Sequence, residues 1–384
     1  MPLYLDCAAT TPLEPRVRDA MVAAFDDEIG NAGSRTHEFG LHANKAVAEA
    51  RHRVAAVVRA QPLDVVFTSG ATEANNLAIL GLQTHGEATR RRHIISSAIE
   101  HKAVLEPLQV LEARGFEVTY LAPGADGRIG ADTVCEALRP DTLLVSLMHG
   151  NNETGALQPI TEVADTLVGS TTLFHVDAAQ TYGKVLEPLA HPRIDLISVS
   201  AHKLFGPKGV GALIARTRKF QRPPLQALMY GGGQERGLRP GTLPVPLIVG
   251  FGVAAELALN EHVQRAGKCR RHRTAALAAF RSVAHIVLGS PAAALDHILS
   301  VAFPGVDSEA LILATKDLVA ISNGAACTSA RYEPSHVLKA MGASDAVAAS
   351  AVRLSWCHLT QDAPWDEFAS RVRELQAANL SLAD

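Results

Sequence analysis

Helical patterns alternate with short apolar runs from about residue 41 to 255 of this 384-residue chain, and this rhythm restricts the fold more than any other feature. Segment 46–60, AVAEARHRVAAVVRA, places Val47, Val54 and Val58 near one helical face. Further apolar runs are typical of buried strands: DVVFTSG, RHIISS, LLVSLMHG, LFHVDAAQ, DLISVSAHK and VGALIAR. Strands separated by helices predict an α/β protein whose sheet is largely parallel and covered on both faces.

The pattern of predicted helices and strands changes near residue 256. Segment 254–284 predicts one long helix with a basic middle, which leads into a second, smaller α/β unit. The strand candidates of this unit are DHILSVAFPGV (296–306) and DLVAISNGAAC (317–327). From AVAASAVRLSW (346–356) to the end, the pattern predicts a helix, a strand and a helix.

Composition and charge narrow the classes of partner. With 47% hydrophobic residues the chain has ample material for a buried core. Its 36 basic and 39 acidic residues leave a net charge of -3, so no strong field draws it to nucleic acid or to a membrane surface. We find no apolar run long enough to cross a membrane and no signal segment at the start, and we therefore expect a cytoplasmic protein that contacts small molecules and proteins.

The five cysteines, at positions 7, 135, 269, 327 and 357, are odd in number and widely spaced, and no CxxC pair occurs. This pattern argues against a disulfide framework and against a metal site. Cys327 stands within SNGAACTSA (322–330), a run of small residues. Its own neighbourhood leaves two roles open, a small buried side chain or a nucleophile.

Polar residues follow several predicted strands, where ligands gather in sheets of this kind. After VVF, residues 68–73 (TSGATE) form a glycine-containing turn that presents Thr72 and backbone N–H groups at a helix N-terminus. Such a turn can hold a phosphate, although the same residue types also serve as helix caps. Asp177 ends an apolar strand, where a carboxylate needs a positive partner unless it caps the next helix.

The most informative stretch is DLISVSAHKLFGPKGVGALIAR (195–216), in which a buried strand leads through Ser200 and His202 to Lys203. Burial at such a position lowers the pKa of a lysine, and a lysine with a lowered pKa can form a Schiff base. Schiff-base chemistry beside a phosphate site predicts pyridoxal phosphate, whose ring nitrogen needs a carboxylate partner. Asp177 is the candidate.

At this point eight motifs resemble, in order, those of the cysteine desulfurases of the NifS/IscS type. The matches run from the N-terminus to about residue 360, and the motifs are YLDCAATTP, FTSGATEANNLAI, EHKAVLEP, MHGNNETGALQPI, HVDAAQTYGK, SVSAHKLFGPKGVGAL, GGGQERGLRPGTLPV and ISNGAACTSARYEPSHVLKAMG. The last motif has the form of the first desulfurase group, in which the cysteine loop serves a protein acceptor.

The resemblance implies a pyridoxal-phosphate-dependent transferase of fold type I, like aspartate aminotransferase. It implies a large cofactor domain (15–255), a small α/β domain (1–14 and 256–384) that carries the catalytic cysteine loop, and a homodimer. The implied reaction converts L-cysteine to L-alanine and transfers sulfur to Cys327 as a persulfide, then to an acceptor protein. The sulfur could serve iron–sulfur clusters, tRNA thiolation or DNA phosphorothioation; overall similarity, including Cys357, favours the last.

Residue by residue, the resemblance implies catalytic roles for Lys203, Cys327 and His101. Arg353, with Asn152, matches the substrate side and would pair with the carboxylate of cysteine. Thr242 matches a phosphate ligand that reaches across from the partner subunit. The other implied cofactor contacts are Lys203, His101, Ala71, Thr72, Asn152, Asp177, Gln180, Ser200 and His202.

Three departures from the family pattern bear on details of the site, and one of them is Cys7 within LDCAATTP. Ala32 and Gly33 interrupt the usual asparagine-proline-serine of one substrate-side loop, and Cys357 stands where the family commonly has glycine. Cys357 either fills space as a buried thiol or alters the pocket.

Rival functions are a selenocysteine lyase or an aminotransferase on the same fold, and a sulfur-relay scaffold without catalysis. A dinucleotide-binding dehydrogenase is disfavoured because no GxGxxG follows the first strand.

Overall fold

The structure is a computed structural model that describes residues 1–323 and 335–380. Its helices are α1 Pro15–Asp27, α2 Glu38–Ala56, α3 Ala71–Leu80, α4 Gln83–Thr89, α5 Lys102–Glu112, α6 Ala131–Ala137, α7 Ile160–Thr166, α8 Val245–Phe280, α9 Ser308–Thr315, α10 His336–Ala340, α11 Asp345–Ala349 and α12 Trp365–Leu380. Its strands are β1 Leu3–Tyr4, β2 Val65–Thr68, β3 His93–Ser97, β4 Glu117–Leu121, β5 Thr142–Met148, β6 Leu173–Asp177, β7 Leu196–Ser200, β8 Gly211–Ala215, β9 Ile286–Leu288, β10 Ile298–Ala302, β11 Val319–Ala320 and β12 Ala351–Ser355. None of these helices is long and apolar enough to cross a membrane.

The main sheet has seven strands in the order β2-β8-β7-β6-β5-β3-β4. Strand β8 runs antiparallel to both of its neighbours, and the remaining pairs are parallel. The prediction of a mixed, mostly parallel α/β sheet is therefore confirmed. Sequence reasoning missed β4, because this edge strand is mostly half-exposed and carries no long apolar run.

Apolar side chains on the two faces of the main sheet build two buried clusters. Val65 and Phe67 of β2 join the cluster that includes helices α2 and α8, whereas Val66 joins the cluster of α3 and α5. This division follows from the alternation of side chains along a strand. The predicted helical face with Val47 and Val54 is buried in the first cluster, as expected.

A second, three-stranded antiparallel sheet has the order β12-β10-β9, and β1 pairs with β11. Trp356, Phe280 and Phe368 belong to its buried cluster. Helix α8 supplies Ala258 to the large core and Phe280 to this one, so the boundary expected at residue 255 falls inside one continuous helix. The strand predicted within 317–327 is limited to Val319–Ala320 in the described part of the chain.

The start of β8 brings two strand ends together. Gly211 pairs with Thr68 of β2 on one side and with Ser200 of β7 on the other. A Cβ atom at Gly211 would lie 2.4 Å from the Val199 carbonyl oxygen and 2.7 Å from Gly70 Cα. Glycine is therefore required for the turn after β2 to pack against the end of β7, where the site forms.

Candidate active site

A cavity of about 530 Å³ lies at the carboxyl edge of the main sheet. It gathers most of the site residues predicted from the sequence: Ala71, Thr72, His101, Asn152, Asp177, Gln180, Ser200, His202, Lys203 and Arg353. Thr242 is exposed and does not line this cavity. Cys327 lies outside the described residues, so its role stays a prediction.

Asp177, the last residue of β6, is almost fully buried in the cavity wall. Its Oδ1 accepts a hydrogen bond from the Ala179 N–H at 2.9 Å, and its Oδ2 accepts one from Asn75 Nδ2 at 2.8 Å. The carboxylate therefore caps the following turn and is also oriented by α3. Sequence reasoning missed Asn75, although its position three residues after Thr72 places it on the same side of the helix.

Helix α3 begins at the edge of the cavity with a firmly held turn. Glu73 accepts a hydrogen bond from the Ser69 N–H at 2.7 Å and forms an ion pair with Arg239 at 3.0 Å. Burial opposes ionisation, but these bonds lower the pKa of Glu73 below its usual value. No side-chain cap is found at the N-terminus of α3 within the described residues, so the first-turn N–H groups of this helix can bind an anion.

Four residues of the cavity lining, Asn75, Gln180, Ser200 and Arg353, each have a buried polar atom without a partner among the described residues, and two of these atoms bear on the ligand. Ser200 Oγ and Gln180 Oε1 make no hydrogen bond with any residue in 1–323 or 335–380. Gln180 is oriented because its Nε2 donates to the Ala8 carbonyl oxygen at 2.9 Å, and Ser200 Oγ lies 3.7 Å from the position of a Cβ on Gly70. Buried polar atoms are normally paired, so these two indicate a polar ligand. The oxygen atoms of pyridoxal phosphate fit this lining.

His101 caps the N-terminus of α5, where its Nδ1 accepts a hydrogen bond from the Ala103 N–H at 3.1 Å. Burial lowers the pKa of His101, and the charge of Lys203 lowers it further, against the opposing effect of Asp177. At neutral pH the ring is therefore uncharged. Because Nδ1 accepts, its proton is on Nε2.

Lys203 is half-buried in a short 3₁₀ turn, Ala201–Lys203, directly after β7. Thr11 fastens this turn: its hydroxyl donates to the His202 carbonyl oxygen at 2.9 Å and accepts from the Phe205 N–H at 2.9 Å. Phe205 adopts a left-handed φ of 64°, which is unfavourable for a residue with a side chain. The N-terminal segment thus positions the lysine by contacts about 190 residues away along the chain.

Arg353 is buried in β12 and lines the cavity. Its Nη2 pairs with Asp6 Oδ1 at 2.8 Å, and its Nη1 donates to the Asn152 carbonyl oxygen at 2.9 Å. Its Nε makes no hydrogen bond within the described residues. Asp6 is a further site residue that sequence reasoning did not single out, since nothing in a local pattern links positions 347 residues apart.

Glu100 is a second residue that sequence reasoning missed. Its Oε1 accepts hydrogen bonds from Ser97 Oγ at 2.6 Å and from the Met148 N–H at 2.9 Å. Burial raises the pKa of Glu100 to about 8, and the charge of Asp177 also raises it. A protonated Glu100 therefore ties the turn before His101 to the end of β5. The only signal was its place after a predicted strand.

Comparison with known proteins agrees with this geometry. A family model described as aminotransferase class-V matches residues 3–366. The chain belongs to the class-V aminotransferase family. The cysteine desulfurase IscS of Stutzerimonas stutzeri (strain A1501) is 46% identical over 380 residues, which are 97% of this chain and 92% of that protein.

Solved structures extend the likeness to the fold. DndA from Streptomyces lividans has a TM-score of 0.82 and 52% identity, covering 92% of this chain and 99% of that one. SspA in complex with cysteine has a TM-score of 0.82 and 37% identity, covering 94% and 100%. The family predicted from the motifs is confirmed, and with it the fold class and the dependence on pyridoxal phosphate.

Proposed function

We propose that this protein is a cysteine desulfurase that converts L-cysteine to L-alanine and keeps the sulfur on Cys327 as a persulfide. The observation that carries the proposal is the single cavity that brings Lys203, Asp177 and His101 next to the unpaired hydroxyl of Ser200. The relative named as a cysteine desulfurase and the SspA structure titled as a cysteine complex support the substrate.

Different residues of the cavity would contact different parts of the cofactor. We assign its phosphate to Ser200, His202 and the turn with Ala71 and Thr72, and its ring nitrogen to Asp177. His101 would contact the ring of the cofactor, and Asn152 and Gln180 would bind polar groups at its edge. Pyridoxal phosphate, when bound, supplies an electron sink for the charge that develops at the substrate Cα.

The protein groups then move protons and sulfur. Lys203 takes the Cα proton, and neutral His101 can accept the proton of the substrate thiol. Arg353 binds the substrate carboxylate, with its planar fork held in place by Asp6 and by the Asn152 carbonyl. The Cys327 thiolate attacks the substrate sulfur: the new S–S bond forms as the C–S bond breaks, and its electron pair stays with the organic product that becomes alanine.

Thr242 and the sulfur acceptor extend the proposal beyond one chain. Thr242 is exposed on this subunit, which suits a phosphate contact in the site of a second subunit and hence a homodimer.

The persulfide passes to an acceptor protein in the cytoplasm without direct contact with nucleic acid. The 52% identity with DndA favours DNA phosphorothioation over iron–sulfur clusters or tRNA thiolation as the destination. We assign the part of the chain with the main sheet to a large domain (15–255) and the part with the second sheet to a small domain (1–14 and 256–384).

The test compares Cys327→Ala with Cys135→Ala, since Cys135 is an exposed thiol on α6 far from any proposed role. L-alanine formation from L-cysteine should fall by at least about 100-fold in Cys327→Ala and stay unchanged in Cys135→Ala, because only the first removes the nucleophile. Both variants should keep the absorbance of bound cofactor. Alanine formed by Cys327→Ala at the parent rate would contradict the proposal.

The same preparation separates the rival functions. A selenocysteine lyase would strongly prefer L-selenocysteine over L-cysteine, and an aminotransferase would convert an added keto acid without needing Cys327. A scaffold without catalysis would show neither the cofactor absorbance nor its loss after borohydride reduction.

A further inference from the structure

The proposed function leaves three buried thiols unused, those of Cys7, Cys269 and Cys357. Cys7 and Cys357 contact each other in a small cluster with Phe205, and their exposed fractions are 1% and 2%. They lie at opposite ends of the chain, but the pairing of Asp6 with Ser355 and the hydrogen bond from the Cys7 N–H to the Ser355 carbonyl oxygen hold the two segments side by side. The main-chain pairing beside both cysteines therefore holds the two side chains in contact.

The surroundings of Cys357 stabilise its thiolate. The hydrogen bond with Cys7 is the main cause that lowers the pKa of Cys357 to about 6, and Thr360 Oγ1, at 3.5 Å from Sγ, contributes as well. The backbone N–H groups of Leu359 and Thr360 add to this effect, against the opposing cost of burial. The same hydrogen bond raises the pKa of Cys7, which keeps its proton. One thiol is thus nucleophilic and its neighbour is a proton donor.

A cavity of about 50 Å³ gives access to both sulfurs. One liquid water occupies about 30 Å³, so the cavity has room for a molecule as small as hydrogen peroxide. Lys184 and Arg265 line it together with Asp296. Burial lowers the pKa of Lys184 to about 8, which leaves it mainly charged at pH 7, whereas Arg265 is already paired with Glu261 and Glu14. Lys184 can therefore supply a proton to a leaving hydroxide.

We propose that Cys7 and Cys357 form a reversible intramolecular disulfide when the enzyme meets a hydroperoxide. The Cys357 thiolate attacks one peroxide oxygen, the O–O bond breaks, and the leaving hydroxide takes a proton to become water. The Cys7 sulfur then attacks the resulting sulfenic acid; the S–O bond breaks, and the Cys7 proton leaves with the hydroxide as a second water. Two thiols are oxidised and one peroxide is reduced to two waters.

The disulfide would join segments that flank the proposed substrate arginine. Asp6 precedes Cys7 and pairs with Arg353, while Cys357 follows the strand that carries Arg353. The Cys7–Cys357 disulfide would therefore lie next to the Asp6–Arg353 ion pair and outside the cofactor cavity. The inference does not depend on the proposed function, because it rests on contacts outside that cavity.

The test uses the reduced holoenzyme, treated with a few equivalents of hydrogen peroxide, then unfolded, alkylated and digested without reductant. Mass spectrometry should find a peptide pair joined through Cys7 and Cys357, two hydrogen atoms lighter than its parts and absent after dithiothreitol. The variant Cys269→Ala removes the third thiol of the same cavity and should still form the pair.

A second variant follows the first chemical step by itself. Cys7→Ser keeps a hydroxyl that can donate to the Cys357 thiolate but cannot form a disulfide, so the reaction should stop at the sulfenic acid of Cys357, which dimedone traps when the peroxide-treated protein is unfolded in its presence. The inference is overturned if both cysteines are fully alkylated after peroxide treatment, or if either is joined to Cys269 or Cys327 instead. It is also overturned if dimedone labels no residue at position 357 when Cys7→Ser is unfolded after peroxide treatment.

Discussion

Removing the hydroxyl of Ser200 should have opposite effects on the empty protein and on cofactor binding. Ser200 is 3% exposed, and its Oγ has no hydrogen-bond partner in the described residues. An unpaired buried polar group costs about 1–3 kcal/mol. After allowance for lost packing, we expect Ser200→Ala to leave the apoprotein unchanged or to stabilise it by up to about 1 kcal/mol.

The same substitution should weaken the binding of the cofactor. A hydrogen bond to a charged group contributes about 1.5–3 kcal/mol, and about 1.4 kcal/mol corresponds to a tenfold change in Kd. If Ser200 binds the phosphate, the Kd for pyridoxal phosphate should rise about 10- to 100-fold in Ser200→Ala. Urea denaturation of the apoprotein and absorbance titration with the cofactor measure the two quantities separately.

Ser198 provides the matched control on the same strand. It is fully buried, and its Oγ pairs with His175 Nε2 at 2.9 Å. Ser198→Ala leaves that imidazole nitrogen without its partner, so it should destabilise the apoprotein by about 1–3 kcal/mol with little change in cofactor Kd. The reasoning is refuted if Ser200→Ala weakens the apoprotein like Ser198→Ala while the cofactor Kd stays at the parent value.

Two further predictions concern Arg353 and Glu100. A lysine at position 353 cannot keep the bonds to Asp6 and to the Asn152 carbonyl while it binds a carboxylate. Arg353→Lys should therefore raise the KM for L-cysteine about 10-fold or more. The control Arg371→Lys changes a surface ion pair and should leave this KM unchanged. An unchanged KM in steady-state alanine assays would contradict the assignment of Arg353. Because the pKa of Glu100 rises from 4.5 to about 8 on folding, the folded state holds a proton that the unfolded chain releases between about pH 4.5 and 8. Relative to Glu100→Gln, the free energy of unfolding should therefore fall across this window by up to ~1.4 kcal/mol per pH unit. Urea denaturation at several pH values measures this difference. If stability changes with pH in the same way in both proteins, the prediction is contradicted.

Local patterns accounted for the sheet and for the edge at which the site lies. Alternating apolar runs and helical faces predicted the order of elements, and Val47 and Val54 are buried as their spacing requires. The residues that follow the strands, Asp177, Ser200 and Lys203, line one cavity because the carboxyl ends of parallel strands meet at one edge. The edge strand β4 escaped prediction since its pairing partner, more than its own pattern, makes it a strand.

Other features depend on contacts between distant parts of the chain. Asp6 orients Arg353 and Cys7 contacts Cys357 only because β12 lies beside the N-terminal segment, and no local pattern encodes that neighbour. Burial likewise decides the protonation of Glu100 and isolates the Ser200 hydroxyl, because the cost of removing a polar group from water depends on every element packed around it. Residue type and spacing thus supplied the chemical groups of this enzyme, while packing decided their pairing, their charge and which of them remain available to a ligand.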